Sequence, residues 1–350
     1  MANDEIKLAY EETHIPELQA AGLCSGHFLE ENAFGVLGES GDYDVMLTYL
    51  AYEIGGRAWG VESQKTRLTS FMAVPKSWRG TGMHDNDFIS NRVDPVFCTG
   101  TFARTMSEDS YEIDINGQKL ISRPPVWELK GEPHNGVKVD CVFTANGPAS
   151  WSLGHYEDIA QNGMAGYDQG LTVTGSITAN GVEYKLDPGC QGNREYVTIG
   201  DKWINGDLLK RYSRHAYCFV SAEGAEAFIW NKEAMGMNIG RTVIDGNSLS
   251  YNPDEITWEE TDHWLDPRTH ILMPCKWHAT MKNENGYADL YLASYARYPY
   301  SFAQKDGIIT YINTLTRCDG EICQNGKKVE FKDARTQLEL GIYTLPLGVG

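Results

Sequence analysis

Short runs in which apolar and polar residues alternate recur along most of the chain, each closed by Gly, Pro, Asn or Asp. They fall at 45–52, 67–74, 93–101, 111–115, 126–129 and 137–143, and later at 216–220, 227–230, 241–244, 270–273, 287–295, 308–316 and 336–340. Period-two alternation bounded by turn formers predicts β-strands. The pattern is cleanest in Leu171-Thr-Val-Thr-Gly-Ser-Ile-Thr, where Leu171, Val173 and Ile177 share one face and Thr172, Thr174, Ser176 and Thr178 the other. A wall of that kind suits a barrel. Eight Asn-Gly dipeptides supply the turns, because a type I′ hairpin needs positive φ at both central residues and Asn and Gly accept it. Helical signals are confined to 16–22, opened by Pro and closed by Gly, and to 207–212. No Gly-x-Gly-x-x-Gly or phosphate-loop sequence occurs, which disfavours nucleotide-binding α/β folds. The expected fold class is all-β.

A length of 350 residues suits two domains of about 150 to 200 residues. The expected division is an arm over 1–25, an N-terminal domain over 26–203 and a C-terminal domain over 204–350. The formal net charge of −18 argues against nucleic acid or an anionic membrane surface as partner, since either needs a basic patch. The first residues lack a basic flank and an apolar core, and no window approaches the roughly 18 apolar residues of a transmembrane segment. A soluble, cytoplasmic protein is expected, and a homo-oligomer stays open. Eight cysteines from Cys24 to Cys323, none spaced as C-x-x-C, read as reduced structural thiols.

Two segments nearly repeat one another: Gly175-Ser-Ile-Thr-Ala-Asn-Gly-Val-Glu-Tyr-Lys-Leu-Asp187 and Gly320-Glu-Ile-Cys-Gln-Asn-Gly-Lys-Lys-Val-Glu-Phe-Lys-Asp333. Each is expected near the C-terminal end of one of two related β-units. The first, with its flank Gly189-Cys-Gln-Gly-Asn-Arg-Glu-Tyr196, resembles the carotenoid 1,2-hydratase (hydroxyneurosporene synthase) and AttH-like lipocalin-like superfamily, which includes kievitone hydratase and fungal decalin-forming Diels–Alderases. In that family two strands lead into a Gly-x-x-x-Asp-Arg-x-Trp segment. The end of the chain, with Cys318-Asp-Gly-Glu-Ile and Leu338-Glu-Leu, is similar to the family's closing strands, and Trp277 matches an aromatic of its second domain. Asn193 and Tyr196 stand where the family commonly has Asp and Trp, while the glycine and Arg194 are kept. The resemblance implies two consecutive lipocalin-like antiparallel β-barrel or sandwich domains. It also implies a lipophilic small-molecule substrate held in or between them, and no cofactor.

Hydration of an isolated alkene, the chemistry of the family's hydratases, needs a strong proton donor, a surface that stabilises a tertiary cation, and a water on one side. A carboxyl in apolar surroundings can stay protonated near neutral pH because desolvation disfavours its ion, and Glu195 and Asp262 are the candidates. Each reads more readily as an exposed strand or loop carboxylate, because it is one of 48 acidic residues. Arg194 is either a structural arginine pairing across the barrel or a donor to a substrate carbonyl. Adjacent strand residues point to opposite faces, so Arg194 and Glu195 cannot both enter one pocket without a bulge. Clusters of rings with polar tips, Trp151 with His155 and Tyr156, Trp203 with His215, and Trp264 beside Asp262, are candidates to line a cavity and stabilise a cation. Asn193, Trp230, Trp277 and Tyr291 join them, although most rings in a β-protein are core filler. Tyr167 and Gln169 lie where the resemblance places a Tyr-Tyr-Ser-like segment. His263, His270 and His278 with Cys275 match no zinc template, so no metal is expected, and no Gly-x-Ser-x-Gly elbow supports a serine hydrolase.

Three functions fit these features. One is a cofactor-independent enzyme that hydrates, dehydrates, isomerises or cyclises an isoprenoid or polyketide-like metabolite. The others are a lipocalin-like binding protein for a hydrophobic ligand and a carbohydrate-active β-sandwich with exposed aromatic stripes. The catalysts among the family it resembles favour the first.

Overall fold

A computed structural model describes residues 5–26, 28–58, 61–85, 91–96, 98–201, 214–222, 224–232, 237–304 and 307–344. Four Asn-Gly pairs make the expected hairpin turns. Asn116, Asn135, Asn180 and Asn325 have φ between 48° and 52°, and the glycines after them between 77° and 84°, the double left-handed pairing of a type I′ turn. Asn162-Gly163 instead ends a short helix, with Gly163 left-handed.

The strands joined by these turns form two antiparallel sheets, each curled into a half-barrel. The first runs in the order Asn91–Val93, Val61–Pro75, Tyr43–Ala58, Phe28–Ser40, Gln191–Ile199, Met164–Ala179, Val137–Ala145, Val126–Gly131, Gln118–Arg123, Tyr111–Ile115 and Phe102–Met106. The second runs Asn247–Tyr251, Met237–Ile244, Ala225–Lys232, Arg214–Ala222, Lys327–Thr344, Gly307–Gln324, Gly286–Gln304, Leu272–Asn283 and Ile256–Leu265. The expected helical segment at 207–212 lies outside the described residues. The strand expected at 93–101 is broken into Asn91–Val93 and Cys98–Thr99, and the one expected at 270–273 begins at Leu272, because His270 takes a left-handed conformation at φ 57°.

The two near-duplicate cassettes occupy equivalent places, one in each sheet. Gly175 and Gly320 have φ of +123° and +149°, and a Cβ on either would lie 2.1 Å from a carbonyl oxygen of the neighbouring strand, that of Asp140 or Asp289. Only glycine allows so close a backbone approach.

Apolar side chains gather in three main places. Phe71, Trp127, Phe143 and Val173 fill the first half-barrel, and Met273, Trp277, Leu290 and Phe331 fill the second. Between the sheets, Leu29, Met46, Leu50 and Met72 meet Tyr295, Tyr298, Tyr300 and Leu315. The strand Phe28–Ser40 is therefore covered on both faces. That removes the alternation by which a half-exposed strand is recognised, and this strand has no counterpart among the expected runs. The arm over 5–24 carries a helix at Ile15–Ala20 with Pro in its first turn, and it buries Ile6, Tyr10 and Leu18 in the core of the first half-barrel.

Charge also ties the sheets together. Asp44, 1% exposed, accepts hydrogen bonds from Arg79 Nε at 2.8 Å, Arg317 Nη2 at 2.8 Å and the Tyr295 hydroxyl at 2.9 Å. Beside it, Glu39 receives Arg79 Nη2 at 2.8 Å and Arg335 Nη2 at 3.0 Å. Burial would raise the Glu39 pKa, but hydrogen bonds from Lys76 and Arg335 and the charges of Arg335 and Arg79 outweigh it and hold the carboxyl at about 2. A depressed carboxyl favours the folded state fully above the ordinary glutamate value of 4.5, and that contribution is lost as pH falls toward about 2. We therefore expect the thermal midpoint to drop across this window and to drop less in Glu39→Gln. Parallel pH profiles of the two proteins would contradict the assignment.

Candidate functional site

Burial on both faces gives the strand Gln191–Ile199 two unlike sides. The register Asn32↔Tyr196 and Phe34↔Arg194 sets Arg194 and Tyr196 inside the first half-barrel with Asn32 and Phe34. Asn193, Glu195 and Val197 face the second sheet, together with Leu29, Glu31 and Ala33. No bulge interrupts this pairing, so Arg194 and Glu195 serve different environments, as strand geometry requires.

The inward side holds a buried ion pair. Arg194 Nη2 donates to Glu11 Oε2 at 3.0 Å and to Asn32 Oδ1 at 2.8 Å, and both charged side chains are fully buried. Ser122 Oγ donates to Glu11 Oε2 at 2.8 Å, and the Tyr167 hydroxyl donates to Glu11 Oε1. The guanidinium also lies 4.7 Å from the Phe34 ring centre and 4.9 Å from that of Tyr196. Around the arm, Trp151 stacks on His155 at 3.7 Å and meets Tyr10 edge-on at 5.4 Å, while Tyr156 stacks on Tyr196 at 5.3 Å. These expected ligand-lining rings thus surround the arm inside the first half-barrel.

The outward side opens on a small cavity of about 90 Å³ between the sheets. Three carboxyl groups line it: Glu31 and Glu195 from the first sheet and Glu339 from the second. Glu339 Oε2 accepts from the Tyr300 hydroxyl and from Asn313 Nδ2, each at 3.0 Å. Burial pushes the Tyr300 hydroxyl pKa well up, and Glu339 pushes it further. Burial does the same to Tyr52, helped by Glu31, Tyr311, Glu339 and Glu195, and to Tyr217, helped by Asp168 and Glu195. These phenols stay neutral and can donate protons in hydrogen bonds.

Two amide oxygens complete the cavity. Tyr217 has one hydroxyl proton and donates it to Asp168 Oδ1 at 3.2 Å, so the Asn193 group 2.8 Å from that oxygen is the amino group. This fixes Asn193 Oδ1 on the other side, where it and Gln337 Oε1 are buried without hydrogen-bond partners. Both oxygens sit above Gly35, 2.2 and 2.3 Å from where a Cβ would stand, so a side chain there would close the space.

Of the other expected residues, one joins the cavity and the rest lie elsewhere. Trp230 lines the cavity and meets Tyr217 edge-on at 6.3 Å. Gln169 lies at another pocket of the first half-barrel. Asp262 is on an edge strand with its side chain 52% exposed, paired to Lys276 at 2.9 Å. Hydrogen bonds from Lys276 and the His263 amide hold its carboxyl below the ordinary aspartate value. Trp264 packs against the Arg297 guanidinium at 5.2 Å, Trp277 is buried in the second core, and exposed Tyr291 stacks on half-buried His278 at 4.5 Å. Trp203 and the side chain of His215 lie outside the described residues. Among those described, no group of three or more His, Cys, Asp or Glu side chains is placed to hold a metal ion, and no helix is long and apolar enough to cross a membrane. Glu31, Gln337 and Glu339 were missed from the sequence. The signal for the last two was present in Gln337-Leu-Glu-Leu340, where polar residues alternate with core leucines.

No protein-family model matches the sequence, and neither does any curated protein. Solved structures do share the fold. A protein described as an AttH from Nitrosomonas europaea superposes with a TM-score of 0.60 at 9% identity, covering 98% of this chain and 99% of its own. Kievitone hydratase from Nectria haematococca superposes with a TM-score of 0.55 at 10% identity, covering 98% and 94%. CghA solved with Sch210972 gives 0.55 at 9% identity, covering 91% and 89%.

The two sides of the strand should separate in a stability measurement. Arg194→Met strands the Glu11 carboxylate and is expected to cost about 3–5 kcal/mol in urea unfolding. Glu195→Gln removes one of three facing carboxyls and is expected to be neutral or stabilising. Equal losses would contradict the division.

Proposed function

We propose that this protein is a cofactor-independent enzyme that adds water to, or removes it from, a double bond of a lipophilic isoprenoid or polyketide-like metabolite, with the reacting segment in the cavity between the sheets. The observation that carries this reading is the convergence of three carboxyl groups from the two sheets on one cavity that Leu29, Leu50, Ile199 and the rings of Tyr217 and Trp230 also line. In the hydration direction, the Glu195 carboxyl gives its proton to one alkene carbon, and a C–H bond forms as the π bond breaks. The cation left on the other carbon faces the rings of Tyr217 and Trp230, whose electron-rich faces attract it.

Water is the second reactant. It enters the cavity and turns a lone pair to the cation. As the C–O bond forms, the surplus proton passes to the Glu339 carboxylate. Dehydration runs through the same groups in reverse. The 90 Å³ space holds about three waters, so it takes the reacting end of a long molecule, with Leu29, Leu50 and Ile199 lining the seam for the rest.

Support for a lipophilic substrate comes from these apolar walls and from the shared fold. We read the two half-barrels as two lipocalin-like domains dividing near residue 203, with the N-terminal arm belonging to the first. Eight free thiols suit a cytoplasmic setting.

With an isoprenoid or polyene substrate, Glu195→Gln is expected to lower kcat by about 100-fold or more, the usual worth of a general acid, while KM changes little. Full activity in that variant would reject Glu195 as the acid. A ligand that binds unchanged and is never converted by the native protein would replace the enzyme with a carrier. In heavy-oxygen water the product hydroxyl should carry solvent oxygen, and an unlabelled product would exclude hydration.

A further inference from the structure

A second pocket, of about 350 Å³, opens at the first half-barrel, apart from the cavity described above. Its walls include Ile6 of the arm and Pro124, Pro125 and Pro148, with Trp127 and Gln169. Trp127 is fully buried and Gln169 is 5% exposed, and each carries a polar atom without a hydrogen-bond partner: the Trp127 indole N–H and Gln169 Oε1. The orientation of Gln169 is fixed by chemistry. Its Nε2 donates to the Gly147 carbonyl at 2.7 Å, and a carbonyl can only accept, so the amide oxygen is the free end.

A buried donor and a buried acceptor left open cost stability, and a ligand that completes both recovers that cost. We propose that this pocket is a binding site for a compact neutral molecule that presents one hydrogen-bond acceptor and one donor on an otherwise apolar ring, as a lactam or cyclic amide does. Both polar atoms are closed off from the pocket as it stands, so the proline wall gives way as the ligand enters; its acceptor then meets the Trp127 N–H and its donor Gln169 Oε1, while the ring lies against the prolines and Ile6. Neutrality follows from the lining. Its only titratable side chain is Glu5, which is exposed, so an ion inside would have no buried counter-charge. Size follows from the volume, which equals about a dozen waters. The site is independent of the chemistry proposed for the inter-sheet cavity, and it gives a role to Gln169, which that chemistry does not use.

The test is a titration of the full-length protein, labelled with 15N at its tryptophan indoles, with δ-valerolactam. The Trp127 signal is assigned by its loss in Trp127→Phe. The expected result is a saturable shift of the Trp127 N–H, weakened about tenfold or more when the ligand is N-methyl-δ-valerolactam, which has no donor for Gln169 Oε1. Gln169→Leu should bring binding of the parent lactam down to that of the methylated one. No saturable shift with the native protein, or equal affinity for the two lactams, overturns the proposal. The comparison of the two ligands uses the native chain, so a Gln169→Leu variant that fails to fold does not rescue it.

Discussion

A β-strand has two sides, and the strand Gln191–Ile199 has both of them covered. Gln191–Ile199 presents Arg194 and Tyr196 to the interior of one half-barrel and Asn193 and Glu195 to the seam against the other. Everything else about the site follows from this division. A one-residue slip would exchange the two sets, putting a guanidinium into the seam and a carboxyl into the closed interior. The neighbours forbid that slip. Arg194 is held by Glu11 and Asn32, and Asn193 is held by Tyr217, itself bonded to Asp168.

The buried pair of Arg194 and Glu11 is best understood as a specifier of place. Desolvating two charges offsets much of their attraction, so such a pair contributes little net stability but makes any arrangement that separates them costly. Glu11 belongs to the N-terminal arm, so the pair fastens the arm into the first half-barrel, where Ile6, Tyr10 and Leu18 complete the core. On the other face, Asp44 and Glu39 gather arginines from both sheets and fix how the two curled layers meet. The cavity between them inherits its shape from that fixed contact.

Much of the fold was legible in the sequence because hairpin chemistry is local. The turns at Asn116, Asn180 and Asn325 and the paired glycines Gly175 and Gly320 behave as their neighbours along the chain dictate. Phe28–Ser40 was not legible. With one face in a barrel and the other in a seam, it carries Glu30, Glu31 and Asn32 in a row, which reads as a loop until both partners are known. The site was legible in part for the same reason. Glu195, Asn193 and Trp230 come together as cavity lining, whereas Trp151, His155, Tyr156 and Tyr167 gather around the arm and Asp262 lies exposed on an edge strand. Glu31, Gln337 and Glu339 join the site only through contact between strands about 140 or more residues apart in sequence, a distance no local pattern spans.

The central claim is that a lipophilic ligand lies in the seam between the two sheets and not inside either half-barrel. Photo-crosslinking with a diazirine-bearing isoprenoid, followed by peptide mapping, tests it most directly. Adducts are expected on both sheets at once, on seam-facing residues such as Glu195 and Val197 of one and Tyr300 and Gln337 of the other. Adducts confined to inward-facing residues such as Tyr167, Tyr196 or Trp277 would contradict it.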